Sequence, residues 1–368
     1  MKTIGIDGRL YFQTGVGVYL RNLLNELAKM GGSQRYYVYV MQQDCRKIQL
    51  SQNFIIRPVN ACWHSVAEQT VFCQTLYRDK LDLMHFTYFS YPVCYRRPFI
   101  ATIHDITPLS LRTGKASTRH PLVYWGKYHV YRFVLREQIM NAKRIITPTE
   151  TIKQQIAQLY GQAVGNKIYP IYEGVNHELL SNNGSSSADF LSITQPFYIY
   201  VGNFYPHKNV EKLIAAYSKV QTDAKLILIG PRDYFALSLL DLIDKLGQNK
   251  RIILYDKVTM SGLIFCYQKA KGLIHPSLSE GFGLPIVEAM HFHLPILASN
   301  IAVFRELLGD QYLAFDPNSL QDMICKIQMF VDKKSSKIQY HQMERFSFPA
   351  MAKATYRLYH DTMMSISR

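Results

Sequence analysis

No apolar run in this chain approaches the roughly 18 residues that a membrane-spanning helix needs. The N-terminus enters a strand-like pattern at once, Thr3-Ile-Gly-Ile-Asp7, without the basic start and short apolar core of a secretion signal. Cysteine is sparse: six residues (Cys45, Cys62, Cys73, Cys94, Cys266, Cys325) are scattered with no Cys-x-x-Cys pair. That argues against zinc ligation and a disulfide framework, and it fits reduced thiols in a cytosolic protein. There is no Asp-x-Asp triplet, no His-Glu-x-x-His and no Cys/His cluster, so no metal site is expected. A Gly-x-Ser-x-Gly elbow is also missing, which removes the commonest sign of a serine hydrolase. Acidic residues are scarce too, 27 Asp and Glu against 42 Lys and Arg, giving a formal charge of +15. About half of that excess lies between Arg96 and Lys153, where eleven basic residues face three acidic ones for a net +8. Such a stretch attracts phosphate, whether in nucleic acid, lipid head groups or a diphosphate-linked acceptor.

What is present is concentrated between Pro276 and Met290: Pro-Ser-Leu-Ser-Glu280-Gly-Phe-Gly-Leu-Pro-Ile-Val-Glu288-Ala-Met. Leu273, Ile274 and His275 read as the end of a buried strand, and Pro285 suits the first turn of a helix. Gly281 and Gly283 allow a tight turn and close approach to a ligand. Free N–H groups from Phe282 to Ile286, added to the positive end of the helix dipole, would make an anion site. Glu280 precedes that site and Glu288 lies about one turn into the helix. A carboxylate repels phosphate, so the two glutamates are read as acceptors for hydroxyl groups on either side of it. Hydroxyl, phosphate, hydroxyl is the outline of a nucleotide sugar.

The length permits two domains, and 48% hydrophobic residues can fill two cores. In the second half, short apolar runs (197–202, 225–230, 251–255, 272–275, 295–298) alternate with helical patterns at Val210–Val220, Tyr234–Leu246, Ser261–Ala270 and Pro285–His291. Continuous apolar strands separated by helices predict a parallel sheet covered on both faces, with ligands beyond the strand carboxyl ends. The first half alternates less cleanly. Strands are expected at 3–6, 37–40, 83–86, 99–103 and 144–147, and helices near Val18–Met30, Trp63–Leu76, Pro121–Met140 and Thr149–Tyr160. A hinge is placed near Tyr172–Asn176, followed by the polar loop Ser181–Ser187.

The glutamate segment resembles the retaining glycosyltransferases of GT-B fold usually numbered family four, whose hallmark is Glu, seven residues, Glu. Ser-Glu280-Gly-Phe-Gly-Leu-Pro matches the family core residue by residue. The resemblance implies an α/β chain of GT-B fold: two Rossmann-like domains with a cleft between them. The first would span 1–175, joined by the last helix at about 349–368, and the second 176–348. Gly202-Asn-Phe-Tyr-Pro-His-Lys208-Asn209 is similar to the family's phosphate loop, which casts Lys208 as partner of the leaving diphosphate. Asn203 stands where many relatives carry arginine, and Arg232 is a candidate substitute. Gly15 and Gly17 resemble the family's N-terminal loop, while Arg9 is left without a role. His104, in Thr102-Ile-His104-Asp105-Ile-Thr-Pro108, resembles the active-site histidine near the transferred sugar; Asp105 could orient its ring or cap the next turn. Thr149 reads as a helix cap, and Tyr172-Glu-Gly-Val-Asn176 resembles the linker signature, with Glu173 where relatives often have asparagine.

By this resemblance His104, Glu280 and Lys208 are the catalytic candidates. Donor binding would fall to Gly15, Gly17, Lys208, Arg232, Val258, Glu280, Phe282, Gly283, Leu284 and Glu288, with no metal and no cofactor. The strings Asp7-Gly8-Arg9 and His-Asp-x-Thr-Pro look most like bacterial mannosyltransferases that use GDP-mannose; a UDP- or dTDP-sugar stays open, since base-reading residues near Tyr255–Val258 are not decodable. A glycan phosphorylase would run longer and carry a cofactor lysine. A non-catalytic nucleic-acid or membrane-binding protein would explain the charge and not the glutamates, and no nucleic-acid module is recognisable. The expected partners are therefore a nucleotide sugar, a glycan or lipid-linked acceptor and an anionic membrane surface. For the last, His120–Arg136 interleaves Tyr124, Trp125, Tyr128, Tyr131 and Phe133 with Lys127, Arg132 and Arg136, beside Arg112, Lys115 and Arg119. The expected place of work is the cytoplasm, on the inner face of the plasma membrane.

Overall fold

A computed structural model describes residues 2–32, 34–110, 121–181, 195–333 and 336–366. The polar loop from position 182 onward and Arg112, Lys115 and Arg119 lie outside them, as does the side chain of Tyr124. The chain divides into two compact units. One comprises Met1–Leu109, Arg119–Gly174 and Ser347–Arg368; the other is essentially Val175–Phe346.

The first unit is built on seven parallel strands: β1 Thr3–Asp7, β2 Arg35–Met41, β3 Phe54–Val59, β4 Leu83–Phe86, β5 Phe99–Thr102, β6 Arg144–Thr147 and β7 Ile168–Pro170. Their order is β3-β2-β1-β4-β5-β6-β7. β4 and β5 are buried along their whole length, as strands covered on both faces should be. Helix Val16–Met30 turns Tyr19, Leu20, Leu23, Leu24 and Leu27 inward and packs against the terminal helix Phe348–Ile366. An aromatic cluster of Phe86, Tyr91, Tyr95 and Phe99 fills the core on the other side.

The second unit repeats the plan with six parallel strands: β8 Phe197–Val201, β9 Lys225–Ile229, β10 Ile252–Tyr255, β11 Gly272–His275, β12 Ile296–Ser299 and β13 Leu313–Phe315. They lie in the order β10-β9-β8-β11-β12-β13. In both sheets the winding reverses beside the first strand, between β1 and β4 and between β8 and β11. Loops leaving the carboxyl ends of such a pair open away from each other and make room for a ligand.

Three strands were not legible in the sequence, and all three are sheet edges. β3 contains Pro58, which pairs only with Val40 on one side, as an edge strand allows. β7 and β13 are three residues each. The helix expected from Trp63 starts later: His64 takes a left-handed φ of 58°, and regular turns begin only around Glu68, with a π-turn over Glu68–Phe72. The cause is a buried ion cluster. Arg9 donates to both oxygens of Asp7 (2.8 and 2.6 Å) and to Glu68 (2.7 Å), while Glu68 and Ser90 also take up the His64 N–H. Arg9 thus has a structural role, fixing the 61–68 turn to the end of β1.

Candidate active site

The winding reversal of the second sheet brings two loops together. The loop after β8 ends in a turn of 3₁₀ helix, Pro206–Lys208, and Asn209 follows at a left-handed φ of 60°. The loop after β11 is held against it by Leu278 N–H donating to the His207 carbonyl at 2.8 Å. The Asn209 amide reinforces this, donating to Pro276 O (3.1 Å) and Pro317 O (3.0 Å). The result sets Lys208 directly on Glu280, Nζ to Oε1 2.7 Å and to Oε2 2.8 Å. Ser277 Oγ donates to Oε1 at 2.7 Å, and His275 Nε2 lies 3.1 Å from the same oxygen. Burial pushes the Glu280 carboxyl up, but Lys208 and His275 outweigh it and hold it well below the ordinary carboxylate range.

Gly283, at φ 102°, caps helix Leu284–His291 with Pro285 in its first turn. Only glycine adopts that conformation without strain, and it folds the chain so that Ile286 N–H returns to Gly283 O at 2.9 Å. The anion site read from the sequence is therefore narrower: Ile286 is spent on the cap and Pro285 has no N–H. The groups that remain at the helix start are those of Phe282, Gly283 and Leu284. Glu288, one turn on, is buried beneath them. Tyr267 donates to its Oε2 at 2.7 Å; burial pushes its carboxyl up to about 7, against the opposing pull of that hydrogen bond. The two glutamates of one motif thus sit in opposite electrostatic environments. Glu280 is a firmly ionised carboxylate with three contacts on Oε1 and one on Oε2, and Glu288 is a carboxyl poised near neutrality with Oε1 uncommitted.

Arg232 is exposed in the turn after β9, and no contact joins it to Lys208 or Glu280. Val258 lies half-buried at the carboxyl end of β10, the sheet edge, just before the Thr259 cap of helix Met260–Lys269. Lys208, Glu280, the 282–284 amides and Glu288 are therefore gathered by two adjoining loops and one helix, while Arg232 and Val258 stand off on the strands to one side.

In the first unit Gly15 begins helix Val16–Met30 at φ 65°, and Gly17 lies so close to the Leu10 and Tyr11 carbonyls that an added Cβ would sit 2.7 Å from one of them. His104 follows β5. Its Nε2 donates to Thr87 O at 3.0 Å, and its Nδ1 lies 3.2 Å from Glu173 Oε1. The Thr87 carbonyl can only accept, so Nε2 is the donor of that bond. Asp105 instead caps the following turn, accepting from Thr107 N–H at 2.8 Å, which settles its role. Thr149 accepts from Ile152 N–H at 3.3 Å as the cap of helix Glu150–Tyr160. The Tyr19 ring meets His104 edge-on, and its hydroxyl reaches Thr102, which continues to buried His85 and Tyr359. Burial, then the neighbouring His104, pushes His85 down to about 3, so this chain of groups is neutral.

Sequence reasoning missed four contributors: His275, Ser277, Tyr267 and Glu173. The first two stand within five residues of Glu280, and a buried polar residue just ahead of a carboxylate motif is a usable signal. Tyr267 and Glu173 reach their partners only through the fold.

Two Rossmann-like parallel sheets in one chain, the second carrying a lysine–glutamate site where its winding reverses, define a protein of GT-B fold. The sucrose-phosphate synthase of Thermosynechococcus elongatus shares that fold over 99% of this chain and 100% of its own, with a TM-score of 0.80 at 18% identity. The chain belongs to the group 1 glycosyl transferases of family 4. Residues 13–179 match the family profile described as Glycosyltransferase Family 4, and residues 188–346 the one described as Glycosyl transferases group 1. It is 30% identical over 256 residues to the O-antigen chain mannosyltransferase RfbU of Salmonella typhimurium, across 68% of this chain and 66% of that protein. It is 29% identical over 200 residues to O-antigen chain mannosyltransferase B of Escherichia coli, across 50% of this chain and 51% of that one. The matched part thus spans 66% and 51% of the lengths of those two relatives. The family expected from Glu280 to Glu288 is borne out.

Proposed function

We propose that the protein is a retaining, nucleotide-sugar-dependent glycosyltransferase that moves mannose from GDP-mannose to a lipid-linked or polysaccharide acceptor in surface glycan synthesis. The observation that carries this reading is the grouping of Lys208, Glu280, the Phe282–Leu284 amides and Glu288 around one helix start. In it Glu288 accepts from the ribose hydroxyls, and the amides with Lys208 take the diphosphate. Glu280 accepts from hydroxyls of the sugar. The sugar leaves and is attacked on one face, with a phosphate oxygen taking the acceptor's proton. Stabilising charge on the departing diphosphate supplies most of the acceleration. Mannose is supported by the names of the two O-antigen mannosyltransferases the chain resembles, and GDP as its carrier rests on the Asp7-Gly8-Arg9 and His104-Asp-x-Thr-Pro strings. Incubation with GDP-mannose, UDP-glucose and dTDP-glucose, read by slow hydrolysis and thermal shift, tests both the class and the donor. A preference for UDP- or dTDP-glucose would replace the GDP-mannose part alone.

No cofactor enters this reading. Among the described residues no group of three or more His, Cys, Asp or Glu side chains could hold a metal ion. The reading expects transfer to persist in excess chelator, with Lys208 doing what a divalent cation does elsewhere. Loss of activity in chelator, restored by magnesium or manganese, would refute the metal-free part.

For the acceptor side, no described helix is long and apolar enough to cross a membrane. Helix Pro121–Asn141 nevertheless exposes Trp125, Val130, Phe133 and Met140 together with Lys127, Arg132 and Arg136. Tyr131 departs from the interleaved pattern: it packs into the core, edge-on to Phe89. The proposal places this face on an anionic cytoplasmic leaflet without insertion across it, each exposed basic residue contributing about 1 kcal/mol. Flotation with phosphatidylserine-containing vesicles at low salt should capture the protein. Lys127→Glu with Arg132→Glu should release it while donor hydrolysis continues. Unchanged flotation would return the face to ordinary solvent-exposed surface.

A further inference from the structure

His275 closes β11 with its ring buried to 1% exposure, stacked on Tyr200 (5.5 Å between centroids, 17° between planes) and edge-on to Phe304 at 5.5 Å. Its Nε2 faces Glu280 Oε1 at 3.1 Å, and its Nδ1 is buried with no hydrogen-bond partner. A ring with one proton meets both facts only if the proton is on Nε2, donated to Glu280, with Nδ1 bare. The groups that face this ring are Glu280 and Lys208 from the two loops and Tyr200 from β8. Burial keeps the ring below its ordinary range despite Glu280. A leucine or phenylalanine would fill the same space between Tyr200 and Phe304 without burying a bare nitrogen. The histidine is therefore a liability to the core that only its bond to Glu280 offsets.

The four contacts on Glu280 divide unevenly. Oε1 accepts from Ser277 and His275 as well as Lys208, whereas Oε2 accepts from Lys208 alone. A diphosphate competes with Glu280 for Lys208. We propose that His275, with Ser277, is a positioning residue that anchors Glu280 through Oε1, so that the carboxylate keeps its place when Lys208 turns to the diphosphate and leaves Oε2 open to a sugar hydroxyl. This rests on the glycosyl-transfer reading above and adds to it a division of labour between the two oxygens.

The test compares His275→Leu, His275→Gln and Ser277→Ala with the parent. The readouts are hydrolysis of whichever of radiolabelled GDP-mannose or UDP-glucose the parent turns over faster, nucleotide diphosphate binding by calorimetry, and thermal unfolding. The leucine variant should lose about tenfold or more in kcat while nucleotide Kd stays within about threefold, because Glu288 and the helix start are untouched. The glutamine variant, whose amide can donate from nearly the same point, should recover most of the loss. Ser277→Ala should show the same split in smaller measure, and it decides the matter if the leucine variant does not fold. Parental kcat in His275→Leu, or in Ser277→Ala where that variant decides, would overturn the anchor while leaving the transferase reading intact. So would kcat, nucleotide affinity and stability falling together with no rescue by glutamine. A parent that binds no nucleotide and hydrolyses no donor would sink the transferase reading itself, and this inference with it.

Discussion

Lys208→Ala is expected to reduce donor turnover by about two orders of magnitude or more, the usual loss when a charge-stabilising donor is removed from a reaction centre. It should also destabilise the protein. The Lys208 and Glu280 side chains are 15% and 9% exposed, and removing one partner of a buried pair strands the other charge. A loss of about 3 kcal/mol in unfolding free energy is the expected order. The two effects separate in Lys208→Ala combined with Glu280→Gln. Neutralising the stranded carboxylate should restore much of the stability and none of the turnover. Glu280→Gln alone should lower turnover while sparing nucleotide affinity, since the carboxylate serves the sugar. Steady-state hydrolysis and urea unfolding on the three variants check this. Full turnover in Lys208→Ala would remove the lysine from the mechanism.

The same pair sets a pH dependence whose sign follows from the depressed carboxyl of Glu280. A carboxyl held below its unfolded value adds stability above the ordinary carboxylate range and gives it up as pH falls through its folded value. Acid should therefore cost the parent more stability than it costs Glu280→Gln.

The glutamate motif was legible because its meaning is local. Gly-Phe-Gly-Leu-Pro fixes a strand-to-helix turn within seven residues of chain, whatever surrounds it. Lys208 was legible as a position, yet its observed partner was not: a cation expected on phosphate lies on Glu280, 72 residues away. Glu173 was passed over as a departure from its relatives, and it proves to face His104 across 69 residues of chain. The misplaced start of the Trp63 helix has the same origin. Its sequence suits a helix, but Arg9, 59 residues before Glu68, needs that carboxylate and pulls the preceding turn out of register. Short edge strands with a proline or only three residues carry too little period to stand out. Local chemistry was readable, and long-range pairing of buried charges was not.

Glu288 offers the clearest separation of binding from stability, because the two should move in opposite directions. Its carboxyl is raised to about 7, so the folded protein holds a proton that the unfolded chain releases near the ordinary carboxylate value. Folded protein thus binds more protons between those limits, and its stability falls as pH rises through them. Above pH 7 the full cost, roughly 3 kcal/mol, is in place. Glu288→Gln removes the titration, so without nucleotide it should unfold at a higher temperature than the parent at pH 8 and at nearly the same temperature near pH 5. Nucleotide binding should go the other way. A ribose diol donates to an ionised carboxylate, so the parent's affinity should rise about tenfold per pH unit up to 7 and level off above it. Glu288→Gln and Glu288→Ala should flatten that profile and weaken binding at pH 8 by roughly 1–3 kcal/mol. Calorimetric titration of GDP and UDP from pH 5.5 to 8.5, beside thermal melts over the same range, measures both. A variant that binds nucleotide as the parent does at every pH would place the ribose elsewhere.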